Sequence, residues 1–196
     1  MILGCEETRS AIVVDPGDDA EHILSLLAQH RLNTVYLLHT HAHIDHIGAT
    51  DLLRSKTGAQ TAVHQEDIFL VQNLGLQAEY FGWPDPAVPD IDLFLNGGET
   101  LSFGKKSTHV LHTPGHTPGS VTFHVPTLGL ITGDTLFKGS IGRTDLWGGS
   151  YPTIIDSIRK TLFSFPDETI VYPGHGPATT IGQEKQRNPY VGSGVP

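Results

Sequence analysis

Three histidines and an aspartate, His41, His43, Asp45 and His46, stand within six positions of one another in "THAHIDH". With 12 histidines and 13 aspartates in 196 residues, chance would produce such an H-x-H-x-D-H window about 0.003 times per chain of this length. Imidazole nitrogen and carboxylate oxygen together suit zinc, and also iron or manganese. Residues i and i+2 of an extended segment point the same way, so His41 and His43 can grip one ion. Asp45 and His46 fall where the chain turns toward a helix and can serve a second.

Remote residues must complete each sphere. Three further turns offer them: Gly115-His116, Gly133-Asp134 and Gly174-His175. His116 can join His41 and His43, His175 can join Asp45 and His46, and Asp134, with two oxygens, is the natural bridge. Seven ligands exceed one tetrahedral zinc and suit two ions with open positions. Two dications beside two carboxylates would make the pocket positive and acidify water, so the chemistry expected is metal-assisted hydrolysis by a metal-bridging hydroxide.

Each of these turns follows a short apolar run. Strands are predicted over 10–15, 34–39, 107–112, 120–125, 128–132 and 168–172, and strand ends aligned along one edge would gather the four turns. Helices are predicted over 19–31, opening at Asp19, over 48–58, closing at Gly58, and over 150–163, with Ser150 as N-cap. Alternating strands and helices place the chain in the α/β or α+β class. The segment 74–99, with prolines at 84, 86 and 89, reads as an irregular lid or surface loop. The end, 191–196, reads as a flexible tail.

Bulk properties narrow the partners. Net charge is −9, which disfavours nucleic acid and anionic membrane. No apolar run approaches the roughly 20 residues of a membrane span, and no signal peptide is visible. The single cysteine, Cys5, cannot close an internal disulfide and is expected to be an ordinary thiol. A cytoplasmic location, as a monomer or small homo-oligomer, is the expectation. Of the other histidines, His22 and His30 are expected on a solvated helix face, and His39 and His112 in strand packing. His64 is expected to cap a helix, and His109 and His124 to lie on strands. None is assigned to metal.

The motifs "THAHIDH", "TPGHTPGS", "TGDTLFKGSIGRTD" and "YPGHG", in this order and spacing, resemble the metallo-β-lactamase superfamily, and within it the small bacterial glyoxalase II (hydroxyacylglutathione hydrolase) family. The resemblance runs from about residue 9 to Tyr190. It implies an α+β fold, an αβ/βα four-layer sandwich with two mixed β-sheets flanked by helices, as one domain over 1–190 without a C-terminal helical glutathione-binding domain. It implies His41, His43 and His116 on one metal, Asp45, His46 and His175 on the other, and Asp134 shared. Zinc is the expected metal, with iron or manganese as alternatives, and Asp45 and Asp134 are the candidate catalytic carboxylates. The implied substrate is S-D-lactoylglutathione. Relatives of this kind usually carry a further strand ahead of "SAIVVD", so one sheet edge is expected to be incomplete. Arg143 and Lys138 are candidates to meet an anionic, glutathione-derived substrate, and Asp145 is expected to be structural.

Leaving-group chemistry agrees with a thioester. A thiol has a pKa near 8.5 and departs as thiolate without a dedicated acid, whereas an amide nitrogen needs one. β-Lactamases of the superfamily often place Cys in the second metal site, and its lactonases a Tyr three residues after the bridging Asp, where this chain has Phe137. The competing readings are an iron-dependent persulfide dioxygenase, whose motifs overlap, a metallo-hydrolase of other esters, lactones or β-lactams, and a non-catalytic metal-binding domain.

Overall fold

A computed structural model describes residues 1–84 and 86–194. The chain divides into two compact units, the first comprising 1–95 and 101–107, the second 96–100 and 108–196. In chain order the first holds β1 (Ile2–Gly4), β2 (Ser10–Val14), α1 (Ala20–Gln29), β3 (Asn33–Leu38), α2 (Ile44–Ile47), α3 (Thr50–Thr57), β4 (Gln60–His64), α4 (Ile68–Gln72), α5 (Leu74–Phe81) and β5 (Leu93–Leu95). The strands β6 (Thr100–Phe103) and β7 (Lys106–His112) carry the chain from one unit to the other. The second unit continues with β8 (Val121–Val125), β9 (Gly129–Gly133), β10 (Leu136–Phe137), β11 (Ser140–Ile141), α6 (Tyr151–Asp156), β12 (Ile170–Pro173), β13 (Thr179–Thr180) and α7 (Ile181–Arg187).

The first sheet has the order β1-β2-β3-β4-β5, with β1 antiparallel and the rest parallel. Its central strands read as apolar runs because both faces are covered. On one side α1 and α3 bury Ala20, Leu27 and Leu53 against Val13 and Leu37. In a separate cluster Ala42, Ile44 and Ile47 pack with Val63 of β4 and with Leu70, Val71, Leu74 and Ala78 of α4 and α5. Each buried Val, Leu or Ile among them contributes about 1.5–3 kcal/mol. The sheet edge expected to be incomplete is formed by Ile2–Gly4, whose Leu3 pairs with Ile12. Three residues are too few to announce a strand by alternation.

The second sheet, β13-β12-β9-β8-β7-β6, is also mixed. β7 and β8 are antiparallel, β8 and β9 antiparallel, and β9 and β12 parallel. Hence β7, β9 and β12 all run the same way, and the turns after them emerge at one end. Leu130 and Val171 pack with Ile154, Ile158 and Leu162 beneath them. The α+β class, with two mixed sheets flanked by helices, is as expected from the resemblance.

Three further sequence expectations change. The segment 74–99 is not irregular throughout, since its first eight residues form α5. The prolines act only after Gly82, whose positive φ of 70° ends that helix. The helix expected over 150–163 is α-helical to Asp156, π-helical over Ser157–Thr161 and 3₁₀ over Leu162–Ser164. Ser150 opens it without a side-chain cap bond, because its hydroxyl turns to Thr153 Oγ1 at 2.7 Å. In the expected tail, Val191 is buried with Ile181, and Ser193 N–H donates to Lys185 O at 2.7 Å. Residues 195–196 of that tail lie outside the described residues. Among the described residues no helix is long and apolar enough to cross a membrane.

Candidate metal centre

In the first unit the ligand loop leaves β3 and enters α2. Parallel pairing sets Val14 of β2 beside Leu38 of β3, so Asp15 and Thr40 begin from neighbouring strand ends. Asp15 takes a left-handed φ of 50°, a conformation that Asp tolerates better than most residues. Its Oδ1 accepts Thr40 N–H at 2.7 Å and its Oδ2 accepts the Thr40 hydroxyl at 2.7 Å. Oδ2 also lies 3.1 Å from His46 Nδ1. Burial raises the Asp15 pKa, but His46 and the two Thr40 bonds outweigh it and hold the carboxyl below its usual range.

One carboxylate thereby orients two imidazoles. The Thr40 hydroxyl, donating to Asp15, accepts from His41 Nδ1 at 3.2 Å. With Nδ1 of His41 and of His46 so engaged, the Nε2 lone pair of each is the atom presented to an ion, as second-layer partners do for metal-bound histidine. His41, His43 and His46 are all buried, with the His41 ring 4.8 Å from His43 and 4.1 Å from His46. His46 Nε2 stands 3.7 Å from Asp45 Oδ2.

The backbone of this loop is gripped as well. Ala42 N–H donates to Asp67 Oδ2 at 3.1 Å, and Ile44 N–H to Gln77 Oε1 at 3.0 Å. Gln77 Nε2 returns hydrogen bonds to Ala42 O at 3.1 Å and Leu70 O at 2.9 Å. Gly17 permits the closest approach: a Cβ there would fall 1.7 Å from Asp45 O.

In the second unit, Gly174 N–H donates to Gly133 O at 2.8 Å, which sets the Asp134 and His175 turns side by side. Asp134 Oδ2 is 3.7 Å from His116 Nε2 and 3.7 Å from His175 Nε2. His116 Nδ1 donates to Arg143 O at 2.7 Å, so its Nε2 too is the presented atom. A Cβ on Gly142 would lie 1.8 Å from Asp134 O, so only glycine lets this stretch pass behind both ligands. His175 is the exposed member, at 58% of its side chain.

The three separations of 3.7 Å decide what these groups are arranged for. They exceed hydrogen-bond length. Two ligands each about 2.0–2.1 Å from a tetrahedral zinc stand roughly 3.4 Å apart, close to the spacing seen. The donor set and its spacing fit a metal.

The remaining sequence candidates lie as follows. Arg143 forms a bidentate pair with Asp145 at 2.7 and 2.8 Å, which holds the Asp145 carboxyl down at about 2. Asp145, expected to be structural, is the surface ion-pair partner of Arg143. Lys138 is exposed at the β10–β11 turn. That turn is anchored by the buried carboxylate of Glu184, which accepts Gly139 N–H at 2.9 Å, Thr179 Oγ1–H at 2.6 Å and Asn188 Nδ2–H at 2.8 Å. His39 donates to Ala62 O and accepts from Thr50, so it packs strand against helix as expected. His64 accepts Glu66 N–H at a helical turn. His109 and His124 sit opposite each other on β7 and β8. Sequence reasoning missed Asp15, Asp67 and Gln77. Only Asp15 had a signal, as an acid ending a buried strand before Pro-Gly.

Residues 5–175 match the family described as Metallo-beta-lactamase superfamily. A hydroxyacylglutathione hydrolase, GloC of Haemophilus influenzae, is 41% identical over 193 residues, covering 96% of this chain and 90% of its own. The crystal structure of BLEG-1, described as a B3 metallo-beta-lactamase, has a TM-score of 0.89 at 37% identity, covering 97% of this chain and 92% of that one. TTHA1623, in a di-iron-bound form, has a TM-score of 0.86 at 37% identity, covering 97% and 93%.

Proposed function

The chain belongs to the metallo-beta-lactamase superfamily, and from that premise we propose that it is a binuclear metal hydrolase of thioesters, opening S-D-lactoylglutathione to D-lactate and glutathione. Membership alone supports the coarser class, a metal-binding hydrolase. The observation that carries the reading furthest is the set of 3.7 Å ligand separations, together with the Nδ1 hydrogen bonds of His41 and His116 and the Asp15 carboxylate facing His46 Nδ1, which leave Nε2 of each ring toward an ion. In this reading His41, His43 and His116 would hold one divalent ion, Asp45, His46 and His175 would hold a second, and Asp134 would serve both. When bound, such ions acidify water and polarise an acyl carbonyl.

The chain's own residues orient and hold. Asp15 fixes the His41 and His46 rings, the Arg143 carbonyl fixes His116, and the carboxylates Asp45 and Asp134 set the charge beside the reacting atoms. A thiolate leaving group with a pKa near 8.5 needs no protonating residue, which matches the lack of a separate acid in the motifs. The thioester itself is supported by the 41% identity to a hydroxyacylglutathione hydrolase. Lys138 and Arg143 are proposed to meet the anionic thiol portion, Arg143 by exchanging Asp145 for a substrate carboxylate. Zinc is the proposed metal; the same ligands accept iron or manganese, and a relative carries two irons. A glutathione-derived substrate and a lone thiol fit the cytoplasm.

Elemental analysis paired with an S-D-lactoylglutathione assay tests this. We expect two ions per chain and equimolar release of thiol and D-lactate. A single iron per chain, silence on the thioester and oxygen consumption with glutathione persulfide would replace it with the dioxygenase.

A further inference from the structure

The ligand loop alternates. His41, His43 and Asp45 offer side chains to the centre, while the Ala42 and Ile44 side chains between them are buried in the apolar cluster under β4, α4 and α5. From that side two buried polar side chains reach the loop backbone. Asp67, fully buried, accepts Ala42 N–H. Gln77, 1% exposed, accepts Ile44 N–H and donates to Ala42 O. A buried polar group is retained where it satisfies a partner that would otherwise be costly. Here the partners are the peptide groups on either side of His43.

Gln77 does two tasks with one amide. Its Nε2 also donates to Leu70 O, at the α4 turn, so the amide ties the loop to the junction of α4 and α5. A carboxylate in its place would set negative charge against two carbonyl oxygens. A hydroxyl would be too short to reach both. Glutamine is the side chain that matches one N–H and two C=O groups at this span.

We propose that Gln77, seconded by Asp67, is a positioning residue that holds the ligand loop in its metal-binding shape before metal arrives. The proposal rests on the reading that this loop ligates metal. Its consequence is that α4 and α5, which supply no ligand, set the affinity of the centre: the loop's ordering cost is met in the fold and not taken from the binding of the ion.

The test uses the full chain, stripped of metal by chelator, with Zn²⁺ as probe. Residue-resolved amide exchange on the metal-free protein should show Ala42 and Ile44 protected. Gln77→Met, close in volume and lacking both polar functions, should release Ile44 and leave Ala42 protected by Asp67. Its Zn²⁺ affinity, measured by chelator competition, should fall about 10–100-fold, the range for removing an outer partner of a metal site. Gln77→Glu is the second variant, should the Met variant not fold; it keeps the acceptor, so Ile44 stays protected while affinity still falls. Asp67→Asn, which retains an acceptor, should keep Ala42 protected, and Asp67→Ala should not. Leu53→Ala, in the other cluster of the unit, should lower the melting temperature and leave Zn²⁺ affinity unchanged, a response that separates positioning from bulk stability. Wild-type Zn²⁺ affinity in a folded Gln77→Met, with Ile44 still protected, overturns the proposal alone. A wild-type chain that takes up no Zn²⁺ overturns the metal-centre reading and this one with it.

Discussion

Among residues, the seven proposed ligands carry unequal weight. Asp134 is proposed to touch both ions, so Asp134→Ala should abolish thioester hydrolysis and sharply lower the metal content of the purified protein. His175, the exposed candidate, is proposed to serve one ion only, so His175→Ala should retain about one ion per chain by elemental analysis and lose most activity. All seven proposed ligands can be picked out in the sequence, four from their clustering in "THAHIDH" and three from their place after a glycine in a strand-end turn. Their supports are not. Asp15 was readable only as an acid after a buried strand, and Gln77 not at all, since glutamine in an amphipathic helix carries no sign of what it reaches. Asp15→Asn tests the first: it keeps the Thr40 contacts partly intact but weakens the hold on His46, and metal affinity should fall about 10–100-fold with little change in melting temperature.

Elements explain why the ligands are where they are. Six predicted strands appear within two residues of their predicted ends, because their apolar runs are long enough to declare themselves. The short strands β1, β5, β10, β11 and β13, of two or three residues each, are held by neighbours and have no pattern of their own. Likewise α5 was hidden by the prolines that follow it, though it is the helix that carries Gln77. The register of β2 with β3 puts Asp15 beside Thr40, and Gly17 then lets that turn pass against Asp45. A methyl group at Gly17 has no room, so Gly17→Ala should displace the Asp45–His46 segment. We expect loss of metal on elemental analysis with far-ultraviolet circular dichroism near that of the wild type. A Gly17→Ala protein with full metal and full rate would contradict the role given to this contact.

At the scale of the whole molecule, an acidic chain surrounds histidine-rich sites, and its carboxylates govern its response to acid. Arg143 holds Asp145 at about 2, and Arg54, with the Thr61 N–H, holds Asp92 below the usual range. A carboxyl whose pKa is lowered on folding adds stability above its unfolded value near 3.9, and that contribution is lost as pH falls toward the folded value. The melting temperature of Asp145→Asn should therefore lie slightly below the wild type at pH 7, and the gap should close between pH 4 and pH 2. Fold class and a metal-binding hydrolase were legible from motif order. The proposed substrate comes only through resemblance, because nothing in the spacing of the candidate ligands encodes what lies beyond the scissile bond. The central claim is that two ions, held by residues from four strand-end turns, open a thioester. Stepwise addition of Zn²⁺ to the metal-free protein, followed by thiol release from S-D-lactoylglutathione, tests it most directly. The rate should rise to a plateau at two equivalents per chain; a rate already full without metal, or no thiol release at two bound ions, is incompatible with a binuclear thioester hydrolase.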